Sequence, residues 1–251
     1  MANEVAKKNE PQFSVMLMER LDSVDDALPN GFNKARFVQN AISLLNDNPA
    51  LQKYSKAQLI TGLLKGAYLG LDAYNKECYL IPYGNQLQFQ IDYRGAKKLA
   101  KKYSIRPIKD IGAKIVREGD RFEETLVGGQ ASFEFRPKPF NTGKIVGAFA
   151  YVLYEDGGMM VDQMSLEELE NTRRHSKAAN SMAWKDFTSQ MYLKTVLHRL
   201  CKHIEIEFDT PQQRQLYDDD VAIATSAKDV SEAEILEGEN ADELVVEEPT
   251  E

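Results

Sequence analysis

Residues Glu77 to Asp92 read ECYLIPYGNQLQFQID, and the second half alternates Leu87, Phe89 and Ile91 with Gln86, Gln88 and Gln90. Apolar residues at a period of two mark a strand with one buried side. Gly84-Asn85 offers a turn able to hold positive φ, so the stretch predicts a β-hairpin. On both sides of it the period becomes helical. Upstream, in SKAQLITGLLKGAYLGL, Ser55 and Gln58 form a capping box, and Ile60, Leu63, Leu64, Ala67, Tyr68 and Leu71 form an apolar stripe. Two earlier helices follow from the same rhythm, one through Phe13, Met16, Leu17 and Leu21 and one through Phe37, Val38, Ala41, Ile42 and Leu45, after about ten polar residues expected to be disordered.

Downstream, Tyr93 to Tyr103 reads YRGAKKLAKKY and predicts another helix. Strands are expected at Ile111 to Val116, Phe122 to Val127, Ala131 to Phe135, Ile145 to Tyr154 and Met159 to Met164, separated by turns rich in Gly, Asn and Asp. A second capping box, Ser165 with Glu168, opens a short helix to about Arg173, and a long helix is expected from about Asn180 to Ile204. The fold class is α+β: a mainly antiparallel sheet with hairpins, flanked by helices, with a helical N-terminal segment and an acidic C-terminal tail. The expected division is 1–29 as an N-terminal helical and oligomerisation segment, 30–205 as the core, and 206–251 as a largely disordered tail.

The chain has 251 residues, is 43 % hydrophobic and carries a net charge of −8, a composition ordinary for a globular protein. Two cysteines, Cys78 and Cys201, are too few for a disulfide framework. With no run of about 18 apolar residues and no leader pattern, a cytoplasmic location is expected. The net charge averages two regions of opposite sign. From Glu205 onward there are sixteen acids against two bases, a net of −14, which leaves +6 for residues 1 to 204.

The excess cations are clustered. On a helix, Arg94, Lys97, Lys98, Lys101 and Lys102 fall at i, i+3, i+4, i+7 and i+8, one face, with Tyr93, Ala96, Ala100 and Tyr103 opposite. A merely solvated face would mix both signs, whereas five like charges repel one another unless a polyanion neutralises them. Asn171 to His203 repeats the theme, with seven bases (Arg173, Arg174, Lys177, Lys185, Lys194, Arg199 and Lys202) against one acid. Arg117, Arg121, Lys138 and Lys144 add cations at strand ends and turns. Lys and Arg on phosphates give sequence-independent affinity, and Tyr93, Phe140 or Trp184 would stack bases if exposed, although the apolar neighbours of Trp184 favour the core. The candidate nucleic-acid-binding residues are therefore Tyr93, Arg94, Lys97, Lys98, Lys101, Lys102, Arg117, Lys144, Arg173, Arg174, Lys177, Lys194, Arg199 and Lys202.

Enzymatic signatures are lacking. No G-x-x-x-x-G-K-[ST] occurs to cradle a nucleotide, and no G-x-S-x-G elbow to carry a nucleophile. His198, Cys201 and His203 do not converge from one helix, and Asp218-Asp219-Asp220 is expected to be solvated charge. Neither reads as a metal site.

The block LGLDAYNKECYLIPYGNQLQFQIDYRGAKKLA resembles the core pattern of the RecT family of phage recombinases, relatives of Redβ. The matching residues are Gly70-Leu71-Asp72, Asn75-Lys76-Glu77, Tyr79-Leu80-Ile81-Pro82-Tyr83 and Tyr93-Arg94-Gly95. The later SMAWKDFTSQMYLKTVLHRLCK is also similar, so the resemblance covers about residues 30 to 205. It implies a non-enzymatic protein that binds single-stranded DNA, anneals complementary strands to a duplex without ATP, and assembles into homo-oligomeric rings or helical filaments. It further implies a phage exonuclease and a host single-strand-binding protein as partners, no required cofactor, and Mg²⁺ as a modulator of pairing. A passive single-strand- or RNA-binding module and a nuclease are the competing classes. In the tail, Ile235-Leu236 and Leu244-Val245-Val246 stand as apolar islands in acidic sequence, which fits a partner-binding motif, a competitor of DNA for the basic groove, or a solubilising segment.

Overall fold

The computed structural model describes residues 2–225 apart from 177, 178 and 181. The chain is α+β, and it divides into two compact units, residues 1–105 with 206–226, and residues 106–205. The boundary at Ile105 splits the single core expected over 30–205, and the start of the acidic segment joins the first unit.

In the first unit, helices α1 (Ala2–Asp22), α2 (Lys34–Asp47) and α3 (Lys56–Leu69) precede a hairpin of β1 (Cys78–Tyr83) and β2 (Gln86–Ile91), then α4 (Tyr93–Tyr103). The hairpin has the expected two-residue turn, with Tyr83 opposite Gln86 and Cys78 opposite Ile91. The capping box at Ser55 forms in both directions, with Gln58 Oε1 accepting from the Ser55 N–H. Helix α1 begins well before the expected start. Its stripe of Phe13, Leu17 and Leu21 is buried within the chain, packed with α2 and α3, while Val15 and Met16 on the same helix are exposed.

The largest departure from the sequence reading lies in 206–225. Ile206 bridges to Ser104, the Glu207 N–H donates to the Tyr103 carbonyl at 2.9 Å, and α8 (Pro211–Thr225) packs on α3 and β2. The apolar rhythm is faint because polar residues hold the buried face. Gln213 is 1 % exposed, its Nε2 donating to the Tyr68 carbonyl at 2.8 Å, and the buried Asp220 accepts the Ile91 N–H at 2.8 Å. Asp218 pairs with Arg214, so the Asp218-Asp219-Asp220 run is partly engaged and not wholly solvated. The expected tail over 226–251 lies outside the described residues.

Replacing Asp220 by Ala would leave the Ile91 N–H unpaired at a buried site. The expected cost is about 1–3 kcal/mol, read as a lower thermal midpoint, and an unchanged midpoint would contradict the anchoring.

In the second unit, β3 (Ile108–Arg117), β6 (Ile145–Tyr154) and β7 (Met159–Ser165) form an antiparallel sheet in the order β3-β6-β7, beside a hairpin of β4 (Arg121–Val127) and β5 (Gln130–Arg136). Side chains alternate along β6. Phe149 and Tyr151 meet Phe133 of the hairpin at ring separations of 5.4 and 5.5 Å, and Phe122 lies 4.5 Å from Phe149. The buried Ala148, Ala150 and Val152 alternate with them on the other side of the strand, and their small size suits close helix packing. Helices α5 (Leu166–His175) and α7 (Thr188–Lys202) pack on this sheet. The capping box at Ser165 forms as expected. The long late helix does not: α6 (Met182–Asp186) is separated from α7 by Phe187, whose φ of −120° and ψ of 37° leave the helical region. Trp184 is 3 % exposed and packs edge-on against Tyr192, which makes it core. Among the described residues no helix is long and apolar enough to cross a membrane.

Candidate nucleic-acid interface

Helix α4 is built to bury one side and display the other. Asp92 caps it by accepting the Arg94 N–H at 3.1 Å, and Gly95, Ala96, Leu99, Ala100 and Tyr103 are buried. Lys101 and Lys102 are exposed and Lys97 is half-buried. Among the described residues neither Lys97 nor Lys101 has a carboxylate partner. Lys102 lies 4.6 Å over the Tyr103 ring, and the last-turn position of Lys101 and Lys102 also favours them electrostatically at the helix C-terminus.

The five cations do not act alike. Lys98 pairs with Glu77 at 2.7 Å and donates to the Gly70 carbonyl at 2.9 Å, so it ties α4 to the end of α3. Glu77 in turn accepts the Asp72 N–H at 2.9 Å, and Asp72 accepts from Asn40 at 2.6 Å. This polar network of Asn40, Asp72, Glu77 and Lys98 escaped the sequence reading, because its members are 5 to 58 positions apart and nothing in local spacing joins them. Arg94 donates to the Tyr93 hydroxyl at 3.2 Å, and both residues are half-buried.

The other candidates lie in the second unit, and several are structural. Arg199 forms a bidentate pair with Asp162 at 2.5 and 2.7 Å, and this bonding, ahead of an opposing burial effect, raises its pKa further. Arg173 donates to the Ala179 carbonyl at 3.2 Å, sits 3.5 Å from Glu170 and stacks on Trp184. Arg117 holds the Gly143 carbonyl at 2.8 Å. Arg121, exposed, pairs with Glu123. Lys144 and Arg174 are exposed, while Lys194 and Lys202 on or at the end of α7 are half-buried. Lys177 lies outside the described residues. Burial, and then Lys202, push the pKa of His198 down to about 4, so this imidazole is neutral at pH 7.

Lys97, Lys101 and Lys102 thus form a short cationic strip on α4, a helix that Lys98 ties to Glu77 of the block resembling a family motif. The sequence model of the RecT family matches residues 35–234. This chain belongs to the RecT family. Protein RecT of Escherichia coli (strain K12) is 27 % identical over 201 residues, covering 73 % of this chain and 71 % of that protein. The uncharacterized protein YqaK of Bacillus subtilis (strain 168) is 25 % identical over 171 residues, covering 66 % of this chain and 58 % of that one. RecT membership gives the chain a role in DNA recombination of the single-strand-annealing type. The RecT match extends past residue 205 through the whole of α8, which agrees with the anchoring of that helix in the first unit.

Proposed function

We propose that the chain binds single-stranded DNA through its phosphates and anneals complementary strands without ATP, acting as an oligomer in which many copies of the same cationic strip follow one strand. The observation that carries this reading is the strip of Lys97, Lys101 and Lys102 in a RecT chain, with neither Lys97 nor Lys101 paired to a carboxylate among the described residues. Cations on phosphates release counterions and screen the repulsion between two strands, and contacts confined to the backbone leave base edges open to Watson–Crick pairing. In this reading the sequence specificity belongs to the DNA. A phage exonuclease that exposes single strands and a host single-strand-binding protein are the partners it calls for, with Mg²⁺ adding its own screening of the duplex.

The test uses two complementary oligonucleotides carrying a dye and a quencher, added in turn to the protein without ATP. Quenching well above the protein-free rate, with both strands intact on a denaturing gel, is the expected result. Binding without acceleration would make the chain a passive binder, and shortened strands in Mg²⁺ would make it a nuclease.

A further inference from the structure

We infer that Phe140 is a stacking platform for one nucleobase of a bound single strand, held in solvent by a preorganised turn. The inference rests on the single-strand binding proposed above and adds to it a contact with a base. Of the three aromatic residues open to that role from sequence, Trp184 is 3 % exposed, Tyr93 is half-buried against Arg94, and Phe140 is 100 % exposed.

A fully solvated phenyl ring contributes nothing to the core, and this one also costs backbone energy. Phe140 has a φ of +53°, and among the described residues it is one of two non-glycine residues with positive φ. It follows Pro139 in a turn, where proline then a residue of positive φ is the type II arrangement that favours glycine or asparagine at the second place. A bulky ring there is strained, and such strain gathers at ligand-binding positions. The turn does not relax because it is tied from several sides. The Asp120 carboxylate accepts the Lys138 N–H at 2.9 Å, Asn141 Nδ2 at 2.7 Å and the Arg117 N–H at 2.8 Å. Asn141 also donates to the Glu118 carbonyl and accepts the Gly143 N–H. Against an opposing burial effect, these bonds hold the Asp120 carboxyl below its usual pKa, so the anchor is charged.

The chemistry around the ring selects its occupant. Lys138, two residues before, and Lys144, four after, are both exposed cations on the same loop. An exposed ring on a loop that also carries two exposed lysines suits a nucleotide, with the base on the ring face and phosphates on the lysines, better than it suits an apolar protein surface. Because the turn's backbone is already tied, binding need not order it, and stacking on an aromatic face needs no particular base.

The experiment measures fluorescence anisotropy of two labelled oligonucleotides of equal length, one bearing bases and one abasic throughout, against the wild type and Phe140→Ala, Phe140→Gly and Phe140→Tyr. Phe140→Ala and Phe140→Gly are expected to weaken binding of the base-bearing strand about 5- to 150-fold, to leave the abasic strand unchanged, and to keep the salt dependence of the wild type. Phe140→Tyr should retain the base preference. Phe140→Gly should not lower the thermal midpoint, because glycine accepts the positive φ. Equal weakening on both strands, no weakening on either, or a change of oligomeric state by light scattering would overturn the inference. Failure of the wild type to bind either strand would instead remove the proposed function on which it rests.

Discussion

Replacing Lys97, Lys101 and Lys102 together by alanine is expected to weaken single-strand binding about 50-fold at 0.15 M salt and to flatten the plot of log K against log salt by about 2. Each phosphate neutralised on a single strand contributes about 0.7 to that slope, so three contacts contribute about 2. Extrapolating that slope from molar salt, where counterion release contributes nothing, gives the affinity change. The loss should be similar for all oligonucleotide sequences, since phosphates carry no sequence information. Folding should be nearly untouched, because Lys101 and Lys102 are exposed, and neither Lys97 nor Lys101 has a carboxylate partner among the described residues. Lys98→Ala provides the contrast. It removes the bonds to Glu77 and Gly70, so it should cost about 1–2 kcal/mol of stability with a smaller change of salt slope. A loss that varies strongly with sequence, or an unchanged slope in the triple variant, would sink the phosphate-contact reading.

That contrast marks where the sequence was legible and where it was not. The hairpin turn at Gly84-Asn85, the two serine capping boxes and the strand Ile145–Tyr154 are local patterns, and they were readable because neighbours in the chain decide them. Helix α8 carried local signals too, with Thr210 and Gln213 bonded as a capping pair around Pro211, a residue favoured at a first helical position. They were outweighed by an apolar rhythm that fails because Gln213 and Asp220 occupy its buried face. In the candidate interface what escaped the sequence has one cause throughout. Charge pattern alone cannot tell a cation that awaits a phosphate from one already committed to a carboxylate or carbonyl far along the chain. Lys98 with Glu77, Arg199 with Asp162 and Arg117 with Gly143 are separated by 21, 37 and 26 positions.

Gly95→Ala is expected to destabilise the protein by about 3 kcal/mol or more and to lower the thermal midpoint by about 10 °C, with loss of DNA binding as α4 is displaced. A Cβ at this position would overlap the Glu77 carbonyl oxygen, and it would stand 3.0 Å from the carbon of that carbonyl and 3.1 Å from Ile91 Cγ2. Neither side can yield cheaply. The Glu77 carbonyl accepts the Asp92 N–H at 3.1 Å at the base of the hairpin, and its side chain is held by the Asp72 N–H and Lys98. On the other side, α4 is fixed by the buried Ala96, Leu99 and Ala100. The helix that carries Lys97, Lys101 and Lys102 can therefore lie against the hairpin only if residue 95 has no side chain. This joins two parts of the RecT-like pattern, Asn75-Lys76-Glu77 and Tyr93-Arg94-Gly95, in one packing requirement: the first supplies the carbonyl, the second the gap that admits it. Gly84→Ala is the control. Gly84 has a φ of +54°, and a methyl group added there would meet no described atom within 4 Å, so only backbone strain of about 1–2 kcal/mol should appear. If Gly95→Ala melts no lower than Gly84→Ala and binds DNA as the wild type does, α4 does not pack this closely and the strip is positioned by other contacts.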